Sequence, residues 1–278
     1  MDNFSSTTSS FRDRGLEAAL DAIGGAGFTQ AELCESEEHV GTPGDRELSR
    51  IRGILESHSV RGRTMHAPLG RACLSAMDAE WRKQSVPSLT GYIRMAGALN
   101  LTELVIHPTS SRDLAPYAND PDLPQRVRDE VRRSLDELLP VIEDSAVRIT
   151  LENLPYPGMP LTSMKELREL VDPYPSEAVG LVMDIGHAVR LNLDPADEIR
   201  AAGSRLCGTH IHGIDVNKAR PDHYSPTAGD LDWDAMRQAF TEIDYTGPWT
   251  SEAFKPGQGQ SPEELTREVK DWMTSWLR

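Results

Sequence analysis

Apolar residues along this chain fall into two alternating patterns. Short blocks rich in branched side chains, bounded by turn formers, occur at ELVIHP (103–108), RITLENLP (148–155) and VGLVMDIGH (179–187) and read as buried strands. RTMHAP (63–68), CGTHIHGIDV (207–216) and GPWTSEAF (247–254) are strands of the same kind, and QAELCE (30–35) is a shorter one. Between them apolar residues return every three or four positions, as amphipathic helices require. One such face is Leu16, Ala19, Leu20 and Ile23, and another is Leu48, Ile51, Ile54 and Leu55. Residues 71–99 read as helical with a break at Pro87. Leu123 to Ser145 carries Val127, Val131, Leu135, Leu138 and Leu139 on one side. Further helices are expected over Thr162–Val171, from Pro195 to about Leu206 behind an Asp194 cap, over 232–243, and over 261–277 with Ser261 as cap and Pro262 at the first position.

The opening MDNFSSTTSS is polar and makes a poor strand, so it reads as a frayed terminus unless something pairs with it. Counted as a strand, it completes eight β/α units. That alternation implies a parallel sheet, and eight uninterrupted units with no linker imply a closed (β/α)8 TIM barrel, one domain over residues 1–278. The length sits close to the ~250 residues typical of such barrels.

The polar residues that end the strands carry the chemistry. Residues two apart on a strand share a face. Glu152, Asp184, His210 and Glu252 therefore point toward the barrel mouth from the fifth to eighth strands, where ligands bind in this architecture. Clustered carboxylates without a counter-charge are costly to bury, and a divalent cation is the usual remedy. Three carboxylates and one imidazole suit Mn2+ best, with Mg2+, Co2+ or Zn2+ also compatible. His66, His107, His187, His212 and His223 lie at strand ends or in the loops after them and are candidate substrate contacts. His187 is placed three residues after Asp184 to polarise a substrate oxygen.

Composition narrows the partners. A formal charge of −15, from 29 basic and 44 acidic residues, together with scattered arginines, disfavours a nucleic-acid surface. No run reaches the ~18 apolar residues of a membrane span, and no basic-then-apolar leader opens the chain. Cys34, Cys73 and Cys207 are too far apart for a metal motif or a disulfide framework, so a reducing, cytoplasmic location is the simplest reading. A small carbohydrate-like molecule is the expected partner, with self-association left open.

The succession LVIHP, ITLENLP, GLVMDIGHA, THIHGIDVNKARPDHYSPTAGDLDW and YTGPWTSEAF resembles the sugar phosphate isomerase/epimerase group of xylose-isomerase-like TIM barrels, a superfamily that includes endonuclease IV. The resemblance implies one divalent metal on Glu152, Asp184, His210 and Glu252. It implies Glu152 and Glu252 as the pair that removes and returns a proton through a metal-stabilised enediolate, and His187 on a substrate oxygen. Ketose epimerases of this group carry a substrate-binding Glu where this chain has Gly158 and an Arg where it has Val216; Lys218 or Arg220 would have to substitute for the latter. Lyases and dehydratases of the inosose dehydratase kind begin with the same proton abstraction. An endonuclease IV-like zinc nuclease would draw on His66, His107, His187 and His223, but its Asp-x-His element is displaced here to Asp222–His223. A catalytically silent carbohydrate-binding barrel is a further class, which the complete four-residue set argues against. KPGQG (255–259) is weak evidence for a phosphate loop and reads as a turn.

Overall fold

A computed structural model describes residues 3–70, 72–215, 217–218 and 221–278. Eight parallel strands close a barrel: β1 (Phe4–Thr7), β2 (Gln30–Leu33), β3 (Arg61–His66), β4 (Glu103–Ile106), β5 (Arg148–Glu152), β6 (Val179–Asp184), β7 (Leu206–Ile211) and β8 (Trp249–Ser251). Outside them run α1 (Leu16–Gly25), α2 (Asp45–Ser57), α3 (Ala79–Ala98), the single-turn α4 (Ser111–Leu114), α5 (Leu123–Ser145), α6 (Met164–Val171), α7 (Ile185–Arg190), α8 (Pro195–Ala202), α9 (Trp233–Glu242) and α10 (Pro262–Trp276). The alternation expected of a TIM barrel is therefore met throughout. No helix among the described residues is long and apolar enough to cross a membrane.

The polar amino terminus is not frayed. Ser5 pairs with Gln30 of β2 on one side and with Thr250 of β8 on the other, so β1 is the strand that closes the barrel. All four of its residues are buried. Closure satisfies the backbone on both edges, and that outweighs the weak strand propensity of FSST.

Several helix boundaries also differ from expectation: α6 starts at Met164, not Thr162, and α8 ends at Ala202, short of Leu206. Residues 72–78 are not helical, and α3 starts at Ala79 because Asp78 caps it, accepting from the backbone N–H groups of Glu80 and Trp81. The helix then runs through Pro87 without a break. Pro87 and Lys83, the residue whose carbonyl loses its partner, are both exposed, so that end of the missing bond is open to hydration. After β6 the chain turns straight into α7, because the Asp184 side chain accepts the backbone N–H of His187. Ser163 and Glu166 form the capping box of α6, and Ser261 and Glu264 that of α10.

The amino-terminal end of the barrel holds a second charged group. Glu103, first residue of β4, is 4% exposed; Arg148 lies 3.6 Å from one of its oxygens and the other has no partner. Burial pushes its carboxyl up to about 7, against the opposing pull of Arg148 and Arg63. An acid whose pKa is raised on folding retains its proton in the native state while the unfolded chain has already lost it. Stability should therefore fall as pH rises from the ordinary glutamate value to about 7, by on the order of 2–3 kcal/mol. Glu103→Gln should flatten that decline when melting is followed across this range; an unchanged slope would locate the titration elsewhere.

Candidate metal centre

The carboxyl ends of β5 to β8 bring together the four residues singled out from sequence. One donor atom from each of Glu152, Asp184, His210 and Glu252 lies within 4.8 Å of the others. Register explains the convergence. Asp184 is the direct neighbour of His210, and His210 of Thr250, so Glu252 falls two residues further up β8 on the same face. His210 Nδ1 is 3.1 Å from Glu152 Oε1 and 3.2 Å from Glu252 Oε2, with Asp184 Oδ2 at 3.9 Å. These separations suit donors around one ion.

The backbone near Asp184 is fixed by Asn153. Its amide accepts from the Asp184 N–H at 2.7 Å and donates to the Asp184 carbonyl at 2.9 Å, locking the end of β5 to the end of β6. His212 is fully buried and does not reach the cavity. Its Nδ1 accepts the backbone N–H of His223, so its proton sits on Nε2 and is donated to Asp184, 3.0 Å from one oxygen and 3.1 Å from the other. His212 thus faces the Asp184 carboxylate and not the cavity.

His66 and His107 converge on the other oxygen of Glu152, with Nε2 atoms 3.2 and 3.0 Å from Oε2. His66 Nδ1 faces the Ala67 carbonyl at 2.7 Å and must be the donor there. Its Nε2 can then face a carboxylate only if it too is protonated or if a cation lies between them. Burial disfavours the charged ring, but the Glu152 carboxylate overcomes this and raises His66 to about 10. Glu152 itself is held well below the usual carboxylate range: burial opposes this, but the charges of His210 and His107 and the hydrogen bonds from both prevail. His66, His107 and Glu152 form a second group able to hold a cation.

His187 Nδ1 lies 2.8 Å from the Asn153 carbonyl and donates to it, which leaves Nε2 for the cavity. Burial lowers this imidazole, so it is neutral at Nε2 and ready to accept from a hydroxyl. His223 stands at φ 66° in the left-handed region, stacked between His212 and Phe254 with 4.3 Å between centroids on each side. Strain at a non-glycine residue persists only where its surroundings enforce it. Here the His223 carbonyl accepts from the backbone N–H groups of Phe254 and Lys255, tying the loop after β7 to the end of β8.

The cavity above these residues measures about 530 Å³. Leu69, Pro155, Tyr156 and Phe254 supply its apolar wall, and Arg12, Glu35, Arg190, Asp222 and Lys255 its charged rim. Asp222 is buried and receives both Arg190 at 2.7 Å and Lys255 at 2.8 Å. Lys218 is exposed and lines a separate shallow cleft with Tyr224 and Gln258, so the structure does not bring it to the cavity. Arg220 lies outside the described residues. Sequence reasoning passed over Arg12, Tyr156 and Arg190 and read Lys255 only as part of a turn; they share no spacing with the strand-end residues and are brought together by the loops and α7.

The donor set fits a divalent ion on observations of this molecule. Glu252 Oε2 is a buried side-chain atom without a hydrogen-bond partner, and three carboxylates lie within reach of one another. Gly186 is part of this construction, because a Cβ there would overlap His212 Cε1. Gly186→Ala should displace the His212 ring from Asp184. The expected cost is about 1–3 kcal/mol in unfolding free energy together with weaker binding of added divalent metal; unchanged melting and metal affinity would show that the ring has room to move.

Comparison with known proteins agrees with this fold. An inosose isomerase from Halalkalibacterium halodurans is 21% identical over 241 residues, covering 82% of this chain and 79% of the relative. A solved structure of IOLI protein with a binding zinc atom superposes with a TM-score of 0.81 at 16% identity, covering 100% of this chain and 98% of that one. D-psicose 3-epimerase solved in the presence of D-fructose gives 0.80 at 16% identity, with 100% and 99% covered. The family model described as xylose isomerase-like TIM barrel matches residues 20–276. With nearly the whole sequence matched and the eight-stranded barrel closed around its polar centre, the chain belongs to the xylose isomerase-like TIM barrel family.

Proposed function

We propose that this chain is a divalent-metal-dependent isomerase or epimerase acting on a sugar, polyol or related hydroxy-carbonyl compound. The observation that carries the reading is the convergence of Glu152, Asp184, His210 and Glu252 beneath one cavity. The inosose isomerase and D-psicose 3-epimerase among its relatives support the substrate class. Mn2+ is the preferred ion for a set with three carboxylates, with Mg2+, Co2+ or Zn2+ as alternatives.

An ion held by Glu152, Asp184, His210 and Glu252 would draw charge from a substrate carbonyl and its neighbouring hydroxyl, acidifying the C–H bond between them. The remaining work falls to the side chains. His187 Nε2 accepts a substrate hydroxyl. Glu252 turns Oε2 toward His210 and His223 and leaves Oε1 for the cavity, where it is placed to take the proton from carbon. Glu152 stands on the other side of the same cluster. Its Oε2, beneath His66 and His107, is the oxygen through which a proton returns to the opposite face, with the two imidazoles relaying it. Loss of a leaving group after the first step would make the enzyme a lyase or dehydratase, on the same residues. The exposed Gly158 differs from the ketose epimerase pattern and favours a differently shaped substrate, with Tyr156 at the cavity wall.

A second reading rests on the His66–His107–Glu152 group. A second ion sharing Glu152 would make a multinuclear centre suited to hydrolysis of a phosphate ester, the endonuclease IV-like alternative. The third potential group, Asp184, His212, His223 and Glu252, is less suited, because both ring nitrogens of His212 are already engaged. Asp222 is likewise committed to Arg190 and Lys255.

Metal analysis of the purified protein, joined to a screen for solvent deuterium entering ketoses, inososes and their phosphates, separates the readings. One ion per chain with deuterium beside the carbonyl supports isomerase chemistry; two ions, no exchange and phosphodiester cleavage support the hydrolase. Glu152→Gln and Glu252→Gln should each reduce exchange by at least ~10²-fold, and Glu252→Gln should also lower metal content. Full exchange in either variant would refute the two-glutamate mechanism.

A further inference from the structure

Beneath the four-residue cluster lies a fifth ionisable side chain that the mechanism leaves unused. Glu32 on β2 is 2% exposed, on the far side of the His210 ring from the other carboxylates. The pairing of β2 with β3 shifts register between Ala31 and Glu32, so that Arg63 is skipped and Glu32 sits directly opposite Thr64. The Thr64 hydroxyl donates to Glu32 Oε2 at 2.8 Å. That contact leaves Oε1 facing His210 Nε2 at 3.2 Å. The pair is close but not aligned as a hydrogen bond, and both atoms are buried with no hydrogen-bond partner elsewhere among the described residues.

His210 therefore has carboxylates on both edges. Its Nδ1 faces Glu152 and Glu252, and its Nε2 faces Glu32. An imidazole that gives its Nδ1 lone pair to a cation must carry its proton on Nε2, and a buried N–H needs an acceptor. Within the barrel, Glu32 Oε1 at 3.2 Å is the acceptor that this nitrogen faces. A carboxylate behind a ligating histidine fixes its tautomer and ring angle and makes the ligating nitrogen more basic.

We propose that Glu32 is a positioning residue for the metal centre: it does not ligate the ion but holds the His210 ring with Nδ1 turned into the cluster, while Thr64 fixes the carboxylate. The inference rests on the reading that a divalent ion binds at Glu152, Asp184, His210 and Glu252. It assigns a role to a strand, β2, that contributes no residue to that set.

The test uses the full chain, stripped with chelator and titrated with Co2+, following heat and the visible absorption of the bound ion. Wild-type protein should bind and show ligand-field bands. Glu32→Gln, which keeps the shape and an acceptor, should weaken binding about tenfold, and Glu32→Ala, which removes the acceptor, toward a hundredfold. Both should shift the bands. In a His210→Ala background, Glu32→Gln should produce no further loss, since the residue it acts through is gone. Failure of the wild-type protein to bind Co2+ would remove the metal reading itself. If the wild type binds, two results overturn the role of Glu32 alone: affinity and bands unchanged in both variants, or an equal loss with and without His210. Melting of the metal-free Glu32→Gln protein close to wild type would confirm that its weaker binding is not a folding defect.

Discussion

Burial of carboxylates is the constraint around which this barrel is organised. Glu32, Glu152, Asp184 and Glu252 are each no more than 9% exposed, at or just below the mouth of one strand cylinder. An isolated buried ion costs several kcal/mol even after the protein relaxes, and like charges at this spacing add to it. The chain answers with imidazoles. His210 stands between Glu32 and the Glu152–Glu252 pair, His66 and His107 share the second oxygen of Glu152, His212 supports Asp184, and His223 reaches Glu252. Imidazoles are suited to this because the same ring can balance charge when protonated and ligate when neutral. Such an arrangement has a place for a cation already built into its hydrogen-bond requirements.

A cluster of this kind needs rigid supports, and the barrel provides them in layers. Strand ends set the positions of the donors, while the side chains one step further out fix their angles. Asn153 stitches β5 to β6, the Asp184 side chain starts α7, and Gly186 clears space for the His212 ring. The loop after β7 is held down by the left-handed turn at His223 and by Asp222 between Arg190 and Lys255. Rim and floor thus have separate duties. The floor holds the candidate metal donors, and Leu69, Tyr156 and Phe254 beside Arg12 and Arg190 form the rim above it.

The floor was legible in the sequence because it follows strand periodicity. Glu152, Asp184, His210 and Glu252 each end an apolar block, and a period of two fixes the face they occupy. The rim was not legible, since Arg12, Arg190 and Lys255 arrive on loops and on the unforeseen α7. Glu32 was overlooked for a different reason. Within QAELCE it reads as one polar residue in an alternating strand, and only the register shift against β3 shows that it enters the centre. β1 was undervalued because FSST has little strand propensity of its own; its pairing depends on β2 and β8, residues far away in sequence. Pro87 misled in the opposite direction, as solvent exposure lets α3 continue through it.

The central claim is spatial, so it is best tested by locating an ion. Crystals grown with Mn2+ and measured at the manganese absorption edge should give an anomalous peak at roughly 2.0–2.3 Å from donor atoms of Glu152, Asp184, His210 and Glu252 together. No peak at saturating metal, or a peak that leaves those four side chains paired only with one another, would contradict the account.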